Sequence, residues 1–252
     1  MGLVAIEVIH VTDPGSAAGW AAEPTRRAVE AEFGDAVRFT SRMGGLARTV
    51  EDPVRHAREL LDAAAAGGMP VDARGWLVEP PRSTFPACLA VVAAREQGAD
   101  AALLRALREA FCLRRGRPDT RDALVALARG VPALDAARFA VALDSSATVE
   151  AFAADLEWAR ERGAASHAYV VAGSGVPQDG LTGALVAAGA EPGAARPDVP
   201  GALAAHGPLA AAEVAALCGL APLRTAGELW GLALELRARP ERLGSGELWH
   251  AG

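Results

Sequence analysis

The amino-acid sequence predicts an α/β protein interrupted by an all-helical insertion and followed by a second helical module. Three observations predict it. Strand-like and helix-like periods alternate over the first fifty residues, a run of amphipathic helical periods follows with no strand between them, and a short Val-rich strand returns at His167. With 252 residues, 51% of them hydrophobic, the chain can bury a sizeable core.

The segment from Leu3 to Val11 is dense in Val and Ile and ends at Thr12-Asp13-Pro14-Gly15, the pattern of a buried strand feeding a turn. Ser16 stands where a helix N-cap belongs, and Trp20, Val29 and Phe33 follow at spacings that face a core until Gly34-Asp35 stops the run. Ala36 to Met43 is a second strand, so the start reads β-α-β, whose crossover implies a parallel pair. Helical periods then occupy about 51–66, 84–97, 100–113, 119–129 and 135–143, with Trp76-Leu77-Val78 the last strand-like stretch. A further helix from Ser146 to Arg162 is stopped by Gly163, and His167 to Val171 is a strand. The Gly/Pro/Ala-rich stretch 173–200 has the weakest pattern, with a strand predicted at Gly183 to Ala188. Leu209 to Cys218 and Thr225 to Arg237 are two helices, and Gly244 to Trp249 is a hairpin or terminal strand. Helix, turn, helix and small wing is the outline of a winged-helix module. The predicted domains are a discontinuous core of 1–50 and 145–190, an insertion of 51–144 and a C-terminal module of 191–252.

Composition excludes several classes of function. The net charge of -6 argues against a nucleic-acid or membrane footprint, which needs clustered positive charge, and Thr225 to Leu236 has no basic residue with which to read DNA. No run of 18 apolar residues occurs, and Met1-Gly2-Leu3-Val4 leads straight into a strand without a basic leader, so a cytoplasmic location is expected. Cys88, Cys112 and Cys218 are scattered in Ala/Leu-rich helical patterns as small hydrophobes. His56, His206 and His250 lack ligand spacing, so no metal is expected. Glu30/Glu32 and Glu51/Asp52 read as solvated helix faces. Arg114-Arg115-Gly116-Arg117 is the one concentrated positive patch and suits a helix C-terminus.

A strand ending in Asp13-Pro14, then a small motif, Trp20 and a helix, resembles the thioredoxin fold, where Cys-x-x-Cys sits at a helix N-terminus that favours a thiolate. Further stretches resemble the DsbA-like family, in particular its FrnE and SpxH/YjbH-type branch: Trp20-Ala21-Ala22-Glu23-Pro24, Met43-Gly44-Gly45-Leu46, Pro81 through Ala90, and Leu103 through Phe111. The likeness covers most of residues 3 to 172 and implies a thioredoxin-like domain with a helical insertion. Two departures bear on activity. Ser16 and Gly19 stand where the family has its cysteines, so no dithiol is available there. Ala168 stands where the family has a cis-proline, and because a non-proline cis bond costs about 2.5–4 kcal/mol, a trans peptide is expected.

The candidate site residues follow from that resemblance. In kappa-class glutathione transferases and 2-hydroxychromene-2-carboxylate isomerases a serine at the first-cysteine position holds a thiolate, which would give Ser16 a ligand. The plainer role is a helix cap. Glutathione is accordingly the one small thiol to consider, and the missing cis-proline disfavours it, so no cofactor is expected. His167 and Tyr169 could supply acid/base chemistry or simply pack on a strand face. His10, Asp13, Pro14, Gly19, Trp20 and Ala168 would line the same cleft, with Asp13 more a turn residue than a base. Two functions are expected: a redox-inactive, isomerase-type enzyme for a small molecule such as an aromatic polyketide, as in the FrnE group, or an adaptor that docks a protein client, as in SpxH/YjbH. A homodimer through the C-terminal module is the further partner considered.

Overall fold

In a computed structural model, residues 5–164 and 167–252 are described; Met1 to Val4, Ala165 and Ser166 lie outside the described residues. The elements run β1 (Ile6–Thr12), α1 (Ala17–Ala21), α2 (Glu23–Phe33), β2 (Val37–Met43), α3 (Pro53–Gly67), α4 (Arg74–Val78), α5 (Phe85–Ala94), α6 (Asp100–Cys112), α7 (Arg121–Ala128), α8 (Ala136–Leu143), α9 (Ser146–Glu161), β3 (His167–Val171), β4 (Ser174–Val176), α10 (Leu181–Ala187), α11 (Val199–His206), β5 (Leu209–Ala210), α12 (Ala211–Cys218), α13 (Pro222–Leu234), β6 (Ala238–Leu243) and β7 (Gly246–Ala251).

The first sheet has the order β2-β1-β3-β4. β1 and β2 are parallel, with Val8 opposite Phe39, and β3 returns antiparallel, with His10 opposite Tyr169 and Thr12 opposite His167. Alternation along β1 sends Val8, His10 and Thr12 to one face. There α2 and α10 close a core of Val8, Val29, Phe33, Tyr169, Val171, Leu181 and Leu185. On β2 the buried Asp155 of α9 accepts hydrogen bonds from the Met43 amide at 3.0 Å and from Arg42 and Arg95 at 2.9 and 2.5 Å. This is a thioredoxin-like α/β sheet carrying a large helical insertion and a C-terminal helical extension. The extension builds a second sheet, β5-β7-β6, whose outer strand β6 holds Pro240 and three charged residues, Arg239, Glu241 and Arg242. No helix among the described residues is long and apolar enough to cross a membrane.

Four expectations are corrected. The segment Gly183 to Ala188 is not a strand: it lies mostly in α10, where Leu181 and Leu185, one helical turn apart, bury a common face. Trp76-Leu77-Val78 closes α4, and Trp76 is held by a hydrogen bond from its indole to the Phe111 carbonyl at 2.8 Å. The helix after Ser16 is two helices, because Pro24 near the start of α2 lacks the N–H a continuous helix would use. The last helix starts at Pro222, so it includes the basic Arg224, which pairs with Glu228 at 2.9 Å.

The three parts are joined by buried charge. Glu213 of α12 is fully buried and receives Arg105 of α6 at 2.7 and 2.9 Å and its own Ala210 amide at 2.9 Å. Arg114 bridges Glu109 and Glu241 of β6, so the basic cluster after α6 anchors the hairpin. Removing one partner from a buried pair strands the other. Glu213→Ala is therefore expected to lower stability by roughly 3–5 kcal/mol, read from urea denaturation.

Candidate functional site

The loop after β1 folds around Asp13. Its side chain is fully buried and accepts hydrogen bonds from the Gly15 amide at 2.7 Å, the Leu46 amide at 2.6 Å, Thr84 Oγ1 at 2.8 Å and Cys88 Sγ at 3.2 Å. Burial raises its pKa above the usual carboxylate value, opposed by those donors. Asp13 thus ties the end of β1 to the loop after β2 and to the start of α5. Pro14 is buried beside it.

Ser16 caps α1 by accepting from the Gly19 amide at 3.1 Å and is only 3% exposed. Between residues 11 and 20 only Ala18 is exposed. The cover is α3, which lies along α1 so closely that a Cβ at Gly67 would come within 2.6 Å of the Ala21 carbonyl oxygen. His56 of α3 reaches the Gly15 carbonyl through Nε2 at 2.9 Å and lies on Trp76 with ring centroids 3.7 Å apart. Trp20 is fully buried, with its indole N–H on the Pro70 carbonyl at 2.8 Å and the Arg105 guanidinium over its ring.

The position that the resemblance gives to a second cysteine, Gly19, is crowded. A Cβ at Gly19 would meet Thr12 Oγ1 at 2.9 Å and Arg108 Nη2 at 3.0 Å. Arg108 is buried, donates to Thr12 Oγ1 at 2.6 Å and pairs with the equally buried Glu23. Burial opposes ionisation of Glu23, but Arg26, Arg108 and Arg105 hold its carboxyl well below the usual range.

His10, His167 and Tyr169 do come together. His10 Nε2 is 3.1 Å from His167 Nδ1, and the His10 ring stacks on Tyr169 with centroids 4.6 Å apart. His167 continues to Gln178 at 3.2 Å, and Gln178 to Thr25 at 2.7 Å. Burial lowers the pKa of both histidines, His10 the more strongly, and pushes the Tyr169 hydroxyl up to about 12. That hydroxyl is buried without a partner among the described residues. The cavity beside His10, lined also by Glu23, Arg26 and Arg108, is only about 40 Å³. Among the described residues no hydrogen bond or ring contact joins this trio to Ser16, and no cis peptide occurs, so Ala168 is trans. Cys88 and Cys112 are buried free thiols; burial raises the pKa of Cys88 well above its usual value and that of Cys112 to about 12.

Of the residues that organise this region, Glu23, Thr84 and Arg108 entered the sequence reading only within stretches that carry the resemblance and His56 only as a metal ligand not expected, and none was assigned to the site. One signal was available: Arg108 lies on the apolar stripe of α6, four residues after Leu104 and three before Phe111, where a charge requires a buried partner.

A β-α-β start, a returning antiparallel strand and a helix beginning beside Asp13-Pro14 define a thioredoxin-type protein. Residues 10–174 match the family model described as thioredoxin, and the chain belongs to that family. The fold is DsbA-like: a putative protein disulfide isomerase from Nitrosomonas europaea superposes with a TM-score of 0.60 at 18% identity, covering 73% of this chain and 97% of that one. The cytosolic disulfide reductase DsbM from Pseudomonas aeruginosa, with GSH, gives 0.59 at 20% over 69% and 91%. A probable DsbA oxidoreductase from Streptomyces coelicolor gives 0.55 at 22% over 73% and 89%. In sequence, the ClpXP adapter protein SpxH of Halalkalibacterium halodurans is 28% identical over 171 residues, 62% of this chain. The chain spans 55% of the length of that curated relative.

Two outcomes follow. Ser16→Cys with Gly19→Cys forces a side chain against Arg108 and Thr12 and should cost about 1–3 kcal/mol, measured by thermal denaturation with the thiols kept reduced. His10 and His167 stay neutral when folded but take up protons near pH 6.5 when unfolded. Their contribution is complete above that pH and is lost as pH falls from 6.5 towards their lower folded values. The urea midpoint should therefore drop between pH 7 and 5.5, and His10→Phe should flatten that slope.

Proposed function

We propose that this chain is a redox-inactive thioredoxin-family protein that works by docking a protein partner, not by exchanging thiols or turning over a small molecule. The observation that carries this reading is the sealing of the old catalytic motif: Ser16 is buried and committed to its helix cap, Gly19 is crowded by Thr12 and Arg108, and α3 packs on the loop and helix around them through the Gly15 carbonyl and Ala21. Neither position has a sulfur atom, and the buried thiols of Cys88 and Cys112 remain protonated at neutral pH.

The alternative of a proton-transfer enzyme for an aromatic polyketide or similar molecule would act at Ser16, His167 and Tyr169. Against it stand the space of about 40 Å³ beside His10, far below the roughly 300–1,000 Å³ of ligand pockets, and a tyrosine hydroxyl pushed up to about 12. A recess of about 310 Å³ borders His56 and Thr84, but the His56 Nε2 and the Thr84 hydroxyl are already committed to the Gly15 carbonyl and to Asp13. The similarity to an adapter agrees with docking, and a cytoplasmic setting suits both readings.

In an insulin-reduction assay with dithiothreitol or glutathione the protein should show no rate above buffer; measurable turnover would overturn the reading. Ser16→Ala should lose about 1 kcal/mol of stability with its cap. The same variant should capture the same stoichiometric partner from the native host as the wild type. Capture that fails with Ser16→Ala while the protein stays folded would restore a ligand-binding role to the hydroxyl.

A further inference from the structure

The exposed face of α13 is built against the usual rules for a solvated helix. Leu223, Trp230 and Leu234 are 90%, 44% and 87% exposed and lie in one row, while Thr225, Leu229 and Leu232 on the opposite side hold the helix to its module. Two glycines, Gly227 and Gly231, stand in the middle of the helix, where glycine is disfavoured relative to alanine. A Cβ at either would meet nothing within 4 Å, so the fold of the single chain does not require them. They leave the helix without side chains along one flank of the Trp230 ring, with Gly227 the notch nearest it, and the ring is set edge-on by Trp249 at 5.1 Å. Just past the helix, Leu236 adopts φ 59° while 85% exposed, a left-handed position that disfavours leucine and suits glycine.

This row is self-complementary. Its features are arranged symmetrically about a midpoint between Glu228 and Leu229: Leu223 mirrors Leu234, Ala226 mirrors Gly231, and Gly227 mirrors Trp230. Two antiparallel copies related by a two-fold axis at that midpoint set each Trp230 into the Gly227 notch of the other and each Leu223 beside a Leu234. Antiparallel helices bring the same flank of each copy together. On that flank Arg224 lies near one end and Glu235 near the other; within one chain they pair with Glu228 at 2.9 Å and Arg237 at 3.1 Å, and the two-fold adds the opposite charge of the other copy beside each. We propose that the occupant of this face is a second copy of the chain, and that the protein is a two-fold dimer held by an antiparallel α13 pair.

Sedimentation velocity at micromolar concentration should give the mass of two chains. Leu234→Arg, at a position with no internal role, should raise the dissociation constant roughly thirty-fold or more. Gly227→Leu fills the notch and should also release monomers, with a thermal midpoint no lower than that of the wild type. Arg224→Glu alone should weaken the dimer, and Arg224→Glu with Glu235→Arg should restore it. Leu223→Cys with Leu234→Cys, which the two-fold sets side by side, should form intermolecular disulfides, whereas Leu223→Cys alone, about 16 Å from its mate by helical rise, should not. A monomeric wild type, a dimer indifferent to Leu234→Arg, or a different protein cross-linked to this row would each overturn the proposal.

Discussion

The buried Arg108 side chain is the constraint on which the rest of the molecule depends. A guanidinium 2% exposed is tolerable only if its charge is met. Glu23 at the start of α2 meets it through Nη1 and Thr12 at the end of β1 accepts from Nη2, while Nε has no partner among the described residues. The insertion, through α6, is thereby fixed to the first β-α unit beside Gly19. One turn earlier on the same helix, Arg105 repeats the arrangement with Glu213 and draws in the C-terminal module. The charges therefore decide how three helical layers sit on one sheet, while the apolar clusters supply most of the stabilisation within each part.

Asp13 plays the same part on the other side of the loop. Four donors from three separate segments converge on one carboxylate, so the backbone after β1 has little freedom to open. With His56 on the Gly15 carbonyl and Trp76 behind it, the helix N-terminus that attracts anions in related folds is used up by contacts within the chain. The region retains the outline of a catalytic loop but the packing of a core.

Much of this architecture was legible in the residues. Alternation and turn signals place β1, β2 and β3, and 3.6-residue periodicity places α3 and α5 through α9 close to where they occur. Ser16 as a cap and the proximity of His10, His167 and Tyr169 also follow from pattern and strand pairing. The segment Gly183 to Ala188 misleads because alanine, glycine and a single valine leave no period, and only the Leu181–Leu185 pair marks the helix. The closure of the motif was not legible. It depends on which face α3 turns to α1, and that is set by a close backbone approach at Gly67 and by charge pairs 85 and 108 residues apart in sequence.

The outer strands also limit how the molecule can associate. β2 presents Arg38 and Arg42, and β6 presents Arg239, Glu241 and Arg242 around a proline that has no N–H to offer. Such margins resist the strand-by-strand addition that leads to fibrils. Growth without end is thus discouraged at these two margins, whereas a symmetric contact between helical surfaces closes on itself and stops at a small assembly.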